Sequence, residues 1–381
     1  MKKIGLLTSG GDAPGMNACI RAVVRTALYH NIEVIGYLRG YDGIIDNRFI
    51  ALERESVSNI IQRGGTILKT ARSPRFMTPN GMQQAVENLK QEGLDGLVII
   101  GGDGSFRGAM ELSKHIDLKL LGCAGTIDND LVGTDYTIGY DTAINTVAAA
   151  IDKLRDTAES HDRVFVVEVM GRDAGLIALR TAIAGGAEAL LVPEMHNDMA
   201  VLGERVRQWR KTKSSRIVVV AEGDEAGGAY KVADYIQSIV PDFDMRVTIL
   251  GHIQRGGSPT CMERVNASVV GYHAVKGLLA GRSNEMVGII NRAVVFTPFE
   301  KTVKHKVTLD SEMEEMIRVL GSWGRNENWK CRIENWELRI ENGEWRIDVF
   351  TLCQRLQWKF CEAHGIGLFS WGSDRRELPQ G

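Results

Sequence analysis

Two carboxylates two residues apart, with a hydroxyl two residues before the first, stand in the run Thr126-Ile127-Asp128-Asn129-Asp130. In an extended segment, side chains at i and i+2 point the same way, so Asp128 and Asp130 are expected on one face and at one centre. Such a pair suits chemistry on an alcohol: one carboxylate takes the hydroxyl proton while its neighbours hold a metal and the developing charge. The same residues also make a polar turn, since Asp and Asn favour turns. A third acid, Asp103, sits in Gly101-Gly102-Asp103-Gly104-Ser105 at the end of an apolar run. An oxygen ligand there suits Mg²⁺ carried by a nucleotide polyphosphate, and a helix N-cap is the other use of that position. Ser9-Gly10-Gly11-Asp12-Ala13-Pro14-Gly15 would turn backbone N–H groups and a helix N-terminus toward an anion, or else form a tight turn. Neither glycine loop reads GxGxxG or GxxxxGK[ST], which counts against a dinucleotide dehydrogenase and a P-loop ATPase.

Cations gather further along. Arg163, Met170-Gly171-Arg172, Arg246 and Gly251-His252-Ile253-Gln254-Arg255-Gly256-Gly257 place arginines at strand ends and turns, positions that suit a phosphate. Arg172 and Arg255 are each set among glycines, so backbone and guanidinium can approach an anion together; a solvated arginine is the plain alternative. Glu222, after the strand RIVVVA, is placed to accept hydrogen bonds from sugar hydroxyls. His252 is either a ligand contact or a satisfied turn residue.

The elements that must position these groups alternate. Lys3 to Thr8 reads as a buried strand, followed by a glycine loop and a helix from Met16 to His30. Strands at Glu33 to Leu38, Gly96 to Gly101 and Lys119 to Cys123 follow, then a long amphipathic helix from Asp141 to Ser160. The alternation restarts with strands at Val164 to Val169, Ala189 to Val192 and Arg216 to Ala221, separated by helices at Gly175 to Ile183 and Met199 to Arg210. The fold class expected is α/β: two doubly wound, Rossmann-like parallel-sheet lobes with the active site between them.

Composition sets the outer limits. With 381 residues, 44% hydrophobic and 25% charged, the chain is large enough for two packed lobes, and its formal charge of −2 gives no global field for nucleic acid or an anionic membrane. Six cysteines show no CxxC spacing and are too few for a disulfide scaffold, and no signal-peptide core or spanning segment is legible, so a cytoplasmic location is expected. The last sixty residues differ: they hold six of the seven tryptophans, and Arg332 to Trp345 nearly repeats itself as RIENWEL and RIENGEW. One reading is a strand pair turning at Asn342-Gly343, another a short helical repeat, a third an appended or out-of-frame extension without function. The boundary is expected near Gly321.

The blocks KKIGLLTSGGDAPGMNACIRAVVR, NIIQRGGTILKTAR, GLVIIGGDGS, GTIDND, VVEVMGRDAG and GHIQRGGSPT, in this order and spacing, resemble the bacterial ATP-dependent 6-phosphofructokinases from Met1 to about Leu320. The resemblance implies transfer of the γ-phosphoryl group of ATP, with Mg²⁺, to the 1-hydroxyl of fructose 6-phosphate. It implies an ATP-binding lobe at 1–138 plus about 253–303, a fructose 6-phosphate lobe at 139–252 plus about 304–320, and nothing about 321–381. By similarity Gly11, Tyr41, Arg72, Ser73, Gly102, Asp103, Gly104 and Ser105 bind ATP, with Asp103 on Mg²⁺. Asp128 is the implied base, and Thr126, Arg172 and Gly11 support the transferring group. Asp130, Met170, Gly171, Glu222, His252 and Arg255 join them around the sugar phosphate, and Arg163 and Arg246 reach it from a neighbouring subunit of a homotetramer.

Arg21, Arg25, Arg54, Arg155, Gly186, Glu188, Lys211 and Lys213 match an effector site for ADP as activator and phosphoenolpyruvate as inhibitor, with Glu188 on the effector's metal; a solvated basic face is the alternative for Arg21 and Arg25. The family's pyrophosphate-using branch has an acid after GGD and a lysine before TIDND. Glycines 104 and 125 stand there, leaving room for ATP. Lipid and NAD kinases share a GGDG loop but lack the GHIQRGGSP and MGR blocks. A non-catalytic nucleotide sensor would not need the acid pair.

Overall fold

Gly96–Gly101, reading GLVIIG, is buried at all six positions, as a strand covered on both faces by helices must be. The computed structural model describes residues 1–195, 198–209, 215–302 and 311–320, with strand backbone at 330–333, 336–341 and 344–347. The chain begins β1 (Lys3–Thr8), α1 (Met16–Tyr29), β2 (Glu33–Tyr37), α2 (Tyr41–Ile45), β3 (Phe49–Ala51), α3 (Pro79–Glu92), β4 (Gly96–Gly101), α4 (Asp103–Ser113), β5 (Lys119–Thr126) and β6 (Ile138–Gly139). Next come α5 (Tyr140–Glu159), β7 (Arg163–Val169), α6 (Leu176–Ala184), β8 (Ala189–Leu191), α7 (Asp198–Gln208), β9 (Arg216–Ala221), α8 (Ala229–Ile239) and β10 (Asp244–Ile249). α9 (Cys261–Leu279), β11 (Glu285–Ile290), β12 (Ala293–Pro298), α10 (Phe299–Thr302) and α11 (Ser311–Leu320) complete a compact unit, Met1–Ser322.

The first sheet runs β12-β11-β5-β4-β1-β2-β3, with β6 paired parallel to the end of β5. Its centre is parallel, but β3 on β2 and β12 on β11 run antiparallel, so both edges depart from the purely parallel lobe expected from the alternation. The β11–β12 link is a two-residue turn, and Asn291 and Arg292 both take positive φ (49° and 67°), the geometry of a tight hairpin. Leu7, Tyr37, Leu97 and Ile99 on one face pack against Ile44, Phe76, Leu89, Phe106 and Leu112 from the covering helices. The second sheet, β10-β7-β9-β8, is parallel throughout, and Val166, Val218 and Val220 pack against Leu202, Val206, Val232 and Ile236 of α7 and α8. Among the described residues Cys19, Cys123 and Cys261 are free thiols, and no helix is long and apolar enough to cross a membrane.

The second unit, Trp323–Gly381, holds β13 (Lys330–Ile333), β14 (Trp336–Glu341) and β15 (Glu344–Ile347), paired antiparallel in chain order. Of the readings open for this stretch the strand pair forms, with Ile340 opposite Trp345 and Leu338 opposite Ile347. Asn342 and Gly343 lie outside the described residues.

Candidate active site

β5 ends at Thr126 and the chain turns at once. Asn129 takes a left-handed φ of 56°, so Asp128 and Asp130 do not share the face of an extended segment as their spacing suggested. Asn tolerates that backbone, and its side chain spans the turn, accepting the Thr137 N–H at 2.7 Å and donating to the Asp135 carbonyl at 3.1 Å. The acids converge all the same, with Asp128 2% and Asp130 7% exposed. Burial, and then the charge of Asp130, raises the Asp128 carboxyl above the ordinary aspartate range; Arg172 and Arg255 oppose the rise and Glu222 adds to it. The Asp128 N–H donates to Thr126 Oγ1 at 3.2 Å, and Asp128 Oδ2 lies 3.7 Å from Nε of Arg172. Oδ1 is buried without a hydrogen-bond partner, an acceptor facing no donor of its own chain.

Long-range contacts bring the remaining sugar-side residues here. Glu222 Oε1 accepts the N–H groups of Arg172 at 2.9 Å and Gly171 at 3.4 Å, so one of its oxygens is committed to the backbone. Arg255, 9% exposed, donates from Nη1 to the Asp12 carbonyl at 3.2 Å. A Cβ on Gly11 would stand 2.8 Å from that nitrogen, so a side chain at residue 11 would displace the Arg255 guanidinium from the first glycine loop. Gln254, wholly buried, accepts the Met170 N–H at 3.3 Å and donates to the Gly251 carbonyl at 3.1 Å, while His252 is exposed on the same turn.

On the other side of Thr126, three loops are stitched together. The Ser9 N–H donates to the Ile100 carbonyl at 2.9 Å, the Gly10 N–H to the Ala71 carbonyl at 3.3 Å, and Thr70 Oγ1 to the Gly10 carbonyl at 2.9 Å. Gly102 is the N-cap of α4, Asp103 lies in its first turn 3.1 Å from Nε of Arg107, Ser105 is buried, and Arg72 is exposed. Tyr41 is 4% exposed and donates its hydroxyl to the Ser105 carbonyl at 2.6 Å, while its ring stacks on Phe76 at 4.0 Å. The geometry sets Tyr41 against the loop, its hydroxyl holding the Ser105 carbonyl. Ser73 is likewise engaged, hydrogen-bonding Asp42 and accepting the Phe76 N–H at 3.3 Å.

The two glycines expected to make room behave differently. Around Gly104 the space a Cβ would enter is open. A Cβ on Gly125 would lie 3.0 Å from Met16 Cε and 3.2 Å from Ile100 Cγ2, so this glycine also faces tightly packed side chains. Arg163 and Arg246 stand elsewhere: Asp244 accepts from Arg163 Nε at 2.8 Å and pairs with Arg246 Nη1 at 2.7 Å, all at the amino ends of β7 and β10. Met170 to Arg172 follow the carboxyl end of β7, about 20 Å away at ~3.3 Å per residue.

Residues 3–278 match the family model described as phosphofructokinase. The chain belongs to the phosphofructokinase family. It is 53% identical over 314 residues to an ATP-dependent 6-phosphofructokinase of Cytophaga hutchinsonii, covering 82% of this chain and 96% of that one. It is 51% identical over 321 residues to ATP-dependent 6-phosphofructokinase 2 of Bacteroides thetaiotaomicron, covering 84% and 98%. The Pichia pastoris phosphofructokinase in the T-state superposes with a TM-score of 0.75 at 34% identity, over 86% of this chain but 38% of that longer one. A pyrophosphate-dependent phosphofructokinase of Marinobacter aquaeolei shares the fold, with a TM-score of 0.72 at 20% identity over 91% and 97% of the two chains.

Within this phosphofructokinase fold the residues expected around an effector form two groups. Arg21 and Arg25 share α1, where burial and the neighbouring charge of Arg25 lower the Arg21 pKa, and the buried Arg25 Nε has no partner. Arg155 donates to the carbonyls of Gly185 at 2.6 Å and Gly186 at 2.8 Å and stands 3.8 Å from the buried Glu188. Arg54 is exposed; Lys211 and Lys213 lie outside the described residues.

Two acids escaped the sequence reading. Asp244 gathers its strand neighbour Arg246 and, through the register of β10 on β7, Arg163. Glu263 is 2% exposed and accepts the N–H and hydroxyl of Thr142 at 3.3 Å. Its signal was present as the capping pattern Thr260-x-x-Glu263, and Thr260 Oγ1 does accept the Glu263 N–H at 3.1 Å.

Proposed function

We propose that this chain transfers the γ-phosphoryl group of ATP to the 1-hydroxyl of fructose 6-phosphate, giving ADP and fructose 1,6-bisphosphate. The observation that carries the proposal is Asp128: a buried carboxylate with one oxygen unpartnered, its pKa raised, next to the guanidinium of Arg172. Such a group accepts an alcohol proton more readily than an exposed aspartate would. As the 1-oxygen attacks, Asp128 takes its proton, while Arg172 and Thr126 face the charge on the transferring group. Asp130, Met170, Gly171, Glu222, His252 and Arg255 hold the sugar phosphate. Gly11 keeps the loop against Arg255, and Gly102 to Ser105, with Arg72 and Ser73, cradle the polyphosphate.

Mg²⁺ fits this arrangement. Among the described residues no three His, Cys, Asp or Glu side chains gather into a metal-binding cluster, so Asp103 would share the ion with phosphate oxygens, the usual situation for Mg²⁺ carried by a nucleotide. When bound, the ion neutralises charge on the β- and γ-phosphates. ATP is favoured over pyrophosphate because Gly104 brings no negative charge to the loop, and because the close relatives bear the name ATP-dependent.

Arg163 and Arg246 cannot reach Asp128 within one chain, which supports a homotetramer whose subunits lend them to each other's sugar-phosphate sites. The clustering of Arg155, Gly186 and Glu188 supports an effector site that takes ADP or phosphoenolpyruvate with Arg21, Arg25, Arg54, Lys211 and Lys213, and Glu188 on the effector's metal. A coupled assay with fructose 6-phosphate tests the central claim: turnover is expected with ATP and not with pyrophosphate. Turnover with neither, or with pyrophosphate alone, overturns it.

A further inference from the structure

Read across the strand order β10-β7-β9-β8, the amino edge of the second sheet carries Asp244, Arg163, Arg216 and Glu188, the last just before β8. Neighbouring strands lie about 4.8 Å apart, so the row spans about 14 Å. At one end Asp244 grips Arg163 and Arg246. At the other, Glu188 is 3% exposed, donates its N–H to the Ile217 carbonyl at 2.8 Å, accepts the Ile217 N–H at Oε2, and faces Arg155. Ile217 is the residue after Arg216, so Glu188 is tied to the backbone of the very strand that carries this arginine.

Arg216 is 2% exposed, the largest of the fully buried side chains among the described residues. Its guanidinium carbon lies 5.3 Å from the ring of Trp209 and 4.7 Å from that of Phe243, themselves edge to face at 6.2 Å. Burying an arginine is costly unless carboxylates and aromatic faces replace water. Both are supplied: burial lowers its pKa, and the charges of Glu188 and Asp162 oppose that shift. Phe243 immediately precedes Asp244, and Asp162 immediately precedes Arg163. The neighbours of Arg216 thus include Glu188 and, beside it, the residues next to both members of the Arg163–Asp244 pair. Arg216 belongs to none of the motifs singled out above and carried no expected role.

We propose that Arg216 is a positioning residue that links the effector-side carboxylate Glu188 to the arginine pair Arg163 and Arg246, so that an anion bound beside Glu188 changes the pair's affinity for a sugar phosphate. The inference rests on the effector-site and sugar-phosphate readings given above. A ligand or its metal competes for Glu188, so the balance of charge on Arg216 shifts toward Asp162. A shift of the guanidinium moves Phe243 and Asp162, and with them the fork that Asp244 holds. By reciprocity, fructose 6-phosphate must change the affinity for ADP by the same factor.

Arg216→Met keeps the length of the side chain and its fit between the rings but removes the charge. Asp162→Asn removes only the far carboxylate, at an exposed position with a φ of 54° that Asn accepts. The measurements are the half-saturating fructose 6-phosphate concentration without and with MgADP, and calorimetric ADP binding without and with fructose 6-phosphate. In Arg216→Met the ratio of the two half-saturating concentrations is expected to fall toward one while ADP still binds, and Asp162→Asn is expected to reduce it in the same direction. A merely structural role would lower turnover or thermal stability and leave the ratio intact. A folded Arg216→Met protein with the full ratio overturns the proposal, as does Asp162→Asn with the full ratio if Arg216→Met fails to fold. A wild type that neither binds nor answers ADP or phosphoenolpyruvate overturns the effector-site reading itself; a wild type that answers beside a variant that answers equally sinks the Arg216 link alone.

Discussion

Asp128 Oδ2 and Arg172 Nε lie 3.7 Å apart, and this one contact joins the carboxyl end of β5 in the first sheet to the carboxyl end of β7 in the second. The arginine is half-exposed, so the pair adds little to stability. Its effect is on charge: Arg172 and Arg255 hold down a carboxyl that burial and Asp130 push up. The net result is a carboxyl above the ordinary aspartate range, in line with its proposed role as proton acceptor.

Asp128→Asn keeps the shape and removes the proposed proton acceptor. Turnover is expected to fall by roughly 10²- to 10⁴-fold, with the KM values for ATP and fructose 6-phosphate changing only a few-fold. Steady-state kinetics on the purified variant check this.

Asp130→Asn removes a negative charge that raises the Asp128 pKa. In the proposed reaction the active form is the ionised Asp128, so activity is expected to fall as pH drops through its pKa. With that pKa lowered, the variant is expected to keep kcat/KM to lower pH than the wild type, shifting the acid limb of the profile downward. An acid limb that stays in place would assign it to another group.

Gly104→Asp is expected to fold with an unchanged melting temperature, because the space beside residue 104 is open, and to raise the KM for ATP by placing a carboxylate near the polyphosphate. Gly125→Ala acts on the core instead: a Cβ 3.0 Å from Met16 Cε makes the Met16 side chain shift by a few tenths of an ångström, so its effect is expected in stability and not in the KM for ATP. Urea unfolding of the two variants separates the effects.

Burial pushes the Glu263 carboxyl up to about 7 from an ordinary 4.5, against hydrogen bonds from Gly139 and Thr142, with the charge of Asp141 adding to the rise. A raised acid binds protons more tightly when folded, so its contribution to stability is full below about 4.5 and is lost as pH rises through about 7. Relative to the wild type, Glu263→Gln is expected to gain stability across that window, by up to roughly 3 kcal/mol. Equal slopes of unfolding free energy against pH in the two proteins would remove Glu263 as the cause.

The spans Lys3–Thr8, Gly96–Gly101 and Arg216–Ala221 were legible in the sequence because apolar runs ended by glycine or an acid permit little else than a buried parallel strand. The antiparallel edges were not, since β3 is only three residues long and the hairpin turn is Asn-Arg, without the glycine that usually marks one. Asp128 and Asp130 could be singled out by type and spacing, yet their shared face was misjudged because one positive φ at Asn129 reorders the turn. Asp244, Glu263 and Arg216 stayed hidden for a common reason: each owes its meaning to partners reached across strands or between helices.

Composition and local pattern thus determined which chemical groups stand at the ends of which strands, since backbone geometry and side-chain type act over a few residues. Tertiary structure alone decided their charge state and company: that Asp128 loses its water, that Arg172 and Arg255 face it, that Arg163 turns away to Asp244. Desolvation and the Coulomb field are set by neighbours in space, and the chain brings those neighbours from distant positions only when its two sheets close on each other.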